Sequence, residues 1–78
     1  MKTKITVLLN DFSKIKKFCR EVVDFESDID LIKGRYVIDA KSAIGIFTLD
    51  LSSPVDVEIH SENIEEIKRF NEVMEEFI

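Results

Sequence analysis

The sequence predicts an α+β domain spanning residues 1–78: a four-stranded antiparallel sheet covered on one face by three helices, in the order β-α-β-β-α-β-α. Three observations carry that expectation. Apolar residues recur at every second position near the start of the chain and again after Pro54. They recur at helical spacing after Asp11 and after Asn63. The polar positions between the strands' apolar ones require a sheet with water on one face and helices on the other.

The first strand lies between Lys2 and Leu8, where Ile5, Val7 and Leu9 alternate with Lys4, Thr6 and Leu8. Asn10 and Asp11 end it, and either can cap the helix that follows. The apolar stripe of that helix is Phe12, Ile15, Phe18, Cys19, Val22, Val23 and Phe25, and it should stop before Asp28. Ile29 and Leu31 mark a second strand, Lys33-Gly34-Arg35 a hairpin turn, and Tyr36 to Asp39 a third strand. Ser42 can cap a short helix from Ala43 to Thr48 or Leu49, weakened by about 1 kcal/mol at its interior Gly45.

Val55, Val57 and Ile59 alternate with Asp56, Glu58 and His60 in the clearest strand pattern of the chain. Asn63 followed by Glu66 has the spacing of a capping box. Behind it Ile64, Ile67, Phe70, Met74, Phe77 and Ile78 form the stripe of a third helix.

Composition excludes several functions. Sixteen acidic residues against 11 basic ones leave a net charge of −5, the wrong sign for gripping nucleic-acid phosphates. The longest apolar stretch, Ala43 to Phe47, is far short of the roughly 20 residues that span a bilayer. A lone cysteine and the absence of a secretory leader point to a reducing, cytoplasmic setting. No zinc spacing, nucleophile triad, phosphate-cradling glycine loop or dinucleotide fingerprint is present, so no metal or cofactor is expected.

The blocks FESDIDL at 25–31, KSAIGIF at 41–47 and VDVEI at 55–59 resemble the HPr family, the histidine-containing phosphocarriers of the bacterial sugar phosphotransferase system. The spacing between the blocks matches as well. The resemblance implies the open-faced β-sandwich of that family. It also implies protein partners: phosphotransferase-system components, a serine kinase or a transcription regulator.

The family's chemistry resides in a GIHARPA motif at the start of the first helix, whose histidine accepts phosphate. Here that stretch reads LNDFSKI. Ungapped counting puts Asp11 at the position of the histidine, Ser13 at that of the arginine that steadies the phosphate, and Lys14 at that of the proline. The only histidine of the chain, His60, lies on the last strand. The resemblance therefore implies a domain without the His relay, acting as a regulatory or protein-binding module. The alternatives are a phosphocarrier with Asp11 as a relocated acceptor and a purely structural interaction domain, monomeric or weakly self-associating.

Lys41-Ser42 resembles the pair at which family members are phosphorylated by a regulatory kinase. Phosphate on Ser42 would add about −1.5 to −2 charge at a helix N-terminus, where it is electrostatically favoured. Ser42 is also a good N-cap with no kinase involved. Ala43, Ile44 and Phe47 occupy the positions of the family's apolar docking patch, while Ile46 and Leu49 read as core. Lys16, Lys17 and Arg20, with Lys14, form a basic helix face that either attracts an acidic partner or is simply solvated. His60 sits near Glu58 and Glu62 and reads as a solvent-facing strand residue, and Cys19 reads as a small buried hydrophobe of low reactivity.

Overall fold

A computed structural model describes residues Met1–Ile78. The elements are β1 (Lys4–Val7), α1 (Phe12–Val22), β2 (Asp28–Lys33), β3 (Tyr36–Asp39), α2 (Ala43–Ile46), β4 (Val55–His60) and α3 (Ile64–Met74), closed by a 3₁₀ turn at Glu75–Phe77. The order is the one expected from the alternation of periods. The four strands form a single antiparallel sheet in the order β1-β4-β2-β3. No helix is long and apolar enough to cross a membrane.

Every fully buried residue is apolar. From the sheet come Ile5 and Val7 of β1, Val55, Val57 and Ile59 of β4, and Ile29 and Leu31 of β2; from the helices come Phe18, Val22, Phe70 and Met74. The register puts Lys4, Glu58, Asp30 and Asp39 in one row across the opposite face, and Thr6, Asp56, Ile32 and Val37 in the next. This open face carries most of the strands' charge, as a one-sided sheet requires. His60 belongs to it. Its Nε2 lies 2.7 Å from Oδ2 of Asp30 on the neighbouring strand, so its carboxylate partner is Asp30 rather than Glu58 or Glu62, the neighbours in sequence.

The β2–β3 turn is tighter than three residues. Lys33 pairs with Tyr36, leaving Gly34 and Arg35 as the loop, and Gly34 has φ 59° while no other residue has positive φ. That is the sign pattern of a type II′ turn, in which glycine supplies the left-handed first position.

Three sequence expectations require correction. The second helix ends at Ile46 rather than at Thr48 or Leu49. Beyond it the bonds tighten to three-residue spacing, Thr48 N–H to Gly45 O and Leu49 N–H to Ile46 O, both at 3.1 Å. The Thr48 hydroxyl also donates to Gly45 O at 2.6 Å, competing for the carbonyl a longer helix would need.

The helical stripes are narrower than the apolar pattern implied. Phe12, Val23, Ile64 and Ile78 are exposed. At 100° per residue, Phe12 and Val23 stand about 120° and about 140° from Phe18, and Ile64 about 120° from Phe70, off the faces that meet the sheet. Cys19 is half-buried, and that burial raises its thiol pKa.

Finally, only half of the capping box forms. Asn63 Oδ1 accepts the N–H of Glu65 at 2.9 Å and of Glu66 at 3.4 Å. The Asn63 N–H turns to Ser61 Oγ instead of Glu66. Glu66 reaches away, accepting the N–H of Glu26 at 2.9 Å and of Ser27 at 3.1 Å together with the Ser27 hydroxyl. These loop amides have no ladder or helix partner, so the carboxylate satisfies more donors there than it would at its own cap.

Candidate functional site

The chain leaves β1 through the buried Leu9, passes Asn10 and enters α1 at Asp11. Asp11 is extended, at φ −141° and ψ 160°, and its Oδ1 accepts the Lys14 N–H at 2.9 Å and the Ser13 hydroxyl at 2.7 Å. The Ser13 hydroxyl and then the Lys14 amide hold this carboxyl below its ordinary pKa, because both bonds favour the charged form. A helix N-terminus offers unpaired N–H groups and about half a positive charge to an anion. In this protein a side chain of the chain itself takes that place.

Phe12, the next residue, is 66% exposed. Its ring lies 6.3 Å from that of Phe47, tilted by 45°. The first turn of α1 therefore touches the end of α2. Around this contact Ile44 is 84% exposed, Phe47 is 58% exposed, and Ala43 is exposed as well. Ile46 and Leu49, which read as core in the sequence, are buried and half-buried, while Ile44 and Phe47, for which core and docking surface are equally open in the sequence, lie on the surface. Phe12 joins them although its spacing had assigned it to the core; its angular offset from Phe18 was the available signal.

Ser42 caps α2. Its Oγ accepts the Gly45 N–H at 3.3 Å, its carbonyl accepts the Ile46 N–H at 3.1 Å, and its side chain is exposed. Lys41 beside it is not a free cation, because its Nζ donates to the Phe25 carbonyl at 2.6 Å and ties the start of α2 to the loop after α1.

The basic face divides. Lys17 Nζ lies 2.6 Å from Glu76, an ion pair that raises the lysine pKa, whereas Lys16 and Arg20 are exposed and make no salt bridge. Lys16 stands one turn beyond Phe12 on the same side of the helix. The site assembled by the fold is thus an apolar patch of Phe12, Ile44 and Phe47, bordered by Asp11 and Ser42 at two helix starts and by Lys16.

A concave surface of about 710 Å³ lies elsewhere, between the β2–β3 turn and the segment after α2, lined by Lys33, Arg35, Tyr36, Thr48 and Leu49. Lys33 is committed there, donating to the Asp50 carbonyl and, at 2.6 Å, to Ser53 Oγ.

No family model matches this chain, and no curated protein matches it. Solved structures do. HPr-C-His from Thermoanaerobacter tengcongensis superposes with a TM-score of 0.73 at 24% identity, over 96% of this chain and 92% of that one. A phosphocarrier protein HPr from Bacillus anthracis str. Ames superposes with a TM-score of 0.74 at 20% identity, over 99% of this chain and 100% of that one. The fold is therefore HPr-like: an α+β open-faced sandwich, four antiparallel strands under three helices.

Proposed function

We propose that this HPr-like domain is a regulatory, protein-binding module that does not carry phosphate on a histidine. The observation that supports this reading is the internal cap at α1. The carboxylate of Asp11 already accepts the amide and hydroxyl donors of Lys14 and Ser13. It is anionic where a phosphorylated imidazole would need those donors free. The one imidazole, His60, is on the open face of the sheet against Asp30.

Partners of the phosphotransferase type, a serine kinase or a transcription regulator would dock on Phe12, Ala43, Ile44 and Phe47. Such a surface of aromatic and aliphatic side chains with a cation at its rim suits protein contacts. Ser42 is the candidate control point, since a phosphate there changes the charge at the border of the patch without entering the core. The setting expected for it is the cytoplasm.

The test is incubation with phosphoenolpyruvate and the general phosphotransferase components. The expected result is an unlabelled protein. Label on Asp11, released by hydroxylamine as an acyl phosphate is, would establish the relocated carrier instead, and stable label on His60 would overturn the reading altogether. Kinase treatment followed by mass spectrometry, with Ser42→Ala as control, should add phosphate at Ser42; failure there would leave a purely structural interaction domain.

A further inference from the structure

We propose that β3 is a self-association edge, at which two copies of this chain pair antiparallel about a two-fold axis through Val37 and join their sheets into one of eight strands. The inference concerns a surface other than the apolar patch and does not rest on the function proposed above.

The two edges of the sheet are treated differently. On β1 the Ile59 N–H donates to Thr3 O at 2.8 Å. By ladder alternation, Lys2, Lys4, Thr6 and Leu8 then turn their backbone groups outward. Both ends of that outward row are occupied. Asn71 bonds Lys2 twice, accepting its N–H at 3.1 Å and donating to its carbonyl at 2.8 Å, and Leu8 N–H donates to Phe77 O at 2.7 Å.

Nothing comparable covers β3. The Ala40 N–H donates to Ile29 O at 2.8 Å. Ala40, Ile38 and Tyr36 therefore bond toward β2, while Arg35, Val37 and Asp39 turn outward. No strand lies beyond them, and of these outward groups the Asp39 carbonyl alone has a partner, the Ser42 N–H at 3.0 Å. Tyr36 and Val37 are 63% and 61% exposed. Soluble proteins blunt open edges with proline, bulges or central charges, and the middle of this strand has none of them.

The occupant follows from register. Outward residues must face outward residues, which leaves three two-fold pairings. Centred on Tyr36, the pairing runs off the strand at Gly34. Centred on Ile38, it sets Arg35 opposite Lys41 and Val37 opposite Asp39. Centred on Val37, it sets Val37 opposite itself and each Arg35 opposite the Asp39 of the other copy. Two opposite-charge pairs then flank an apolar centre on the open face, and Tyr36 meets Ile38 of the second copy on the other. A self-complementary patch of this kind closes as a dimer.

Sedimentation equilibrium of the whole chain, kept reduced, from about 10 μM to about 1 mM reads the association directly, in the range of a small interface. The mass should rise from 9.1 kDa toward twice that value. Val37→Pro removes an N–H that points away from β2, so the hairpin is retained, and this variant should stay monomeric. Arg35→Asp should weaken association about tenfold by setting like charges opposite each other, and adding Asp39→Arg in the same chain should restore it. In the unaltered protein, exchange at the Val37 and Asp39 amides should slow as concentration rises. A constant protomer mass, or a Val37→Pro variant that folds and dimerises undiminished, overturns the proposal. So does association that Ile44→Asp abolishes and Val37→Pro does not.

Discussion

The carboxylate of Glu66 on α3 accepts the backbone N–H of Ser27 at 3.1 Å, and with it the Ser27 hydroxyl and the Glu26 N–H. A helix on one side of the sequence thereby holds the loop that carries α1 into β2. From the other side Lys41 donates to the Phe25 carbonyl of the same loop. Phe25 itself packs edge-on against Phe70 at 6.4 Å, with the Arg69 guanidinium 4.4 Å above its ring. Polar ties and core packing therefore converge on one irregular segment.

Removing the carboxylate leaves two amides and a hydroxyl unpaired. Glu66→Ala should cost about 1–2 kcal/mol in urea unfolding at neutral pH. The Ser27 hydroxyl, followed by the Glu26 amide, lowers the Glu66 pKa from 4.5. A depressed carboxyl contributes stability above its unfolded value and loses it as pH falls through the folded one. The gap between wild type and Glu66→Ala should hold above pH 4.5 and narrow below it; a gap independent of pH would refute the assignment.

Gly45 presents a second, steric relationship. A Cβ built on it would lie 2.6 Å from Cγ2 of Ile38 on β3. In an open helix Gly→Ala gains about 1 kcal/mol. Here overpacking of about 1–3 kcal/mol opposes that gain. Gly45→Ala should therefore be neutral to destabilising in thermal unfolding, and Ile38→Ala in the same chain should bring back the helical benefit. A plainly stabilised single variant would contradict the contact.

These two relationships mark where the sequence stops being readable. Strict alternation along β1 and β4 is imposed by a sheet with one wet face, so Ile5, Val7, Val55, Val57 and Ile59 announce their burial. Ser42 and Asn63 announce their caps because capping is local, and the first cap is legible to within the pair Asn10 and Asp11, of which Asp11 is the one used. Glu66 bonds a loop some 40 residues away, and Gly45 answers to a neighbouring strand, so nothing in their own segments discloses either role. Phe12 is intermediate: its 3.6-residue phase was present, but a stripe counted without angles absorbed it into the core. Of the candidate site, the two caps and the residues after Ser42 were legible, whereas the contact between Phe12 and Phe47 required the fold.

The cap at α1 is testable on its own. Asp11→Ala removes the acceptor of the Lys14 amide and should speed exchange at Lys14 and Ile15, leaving the sheet amides unchanged. Asp11→Asn keeps an acceptor oxygen and should restore most of that protection. Because the Ser13 hydroxyl and the Lys14 amide depress the Asp11 pKa, this cap strengthens folding above pH 3.8 and weakens as pH falls through its lowered value. Accelerated Lys14 exchange in wild type should therefore begin only below that pH.

Two phenylalanines separate core from surface. Phe77 is buried edge-on against Phe18, with ring centroids 5.7 Å apart, and its carbonyl accepts the Leu8 N–H that closes the free end of β1. Truncation there leaves a cavity between α1 and the 3₁₀ turn. Phe77→Ala should cost about 3–5 kcal/mol, much of the roughly 4–12 kcal/mol expected for a domain of 78 residues. Phe47→Ala instead removes a ring that is largely in water and should shift stability by less than about 0.5 kcal/mol. The ordering reverses for docking: Phe47→Ala should weaken any protein partner that engages α2, and amide chemical shifts in a titration with that partner should move at Phe12, Ile44 and Phe47. A partner whose binding is indifferent to Phe47 would dock elsewhere, and a Phe47→Ala variant as unstable as Phe77→Ala would place that ring in the core.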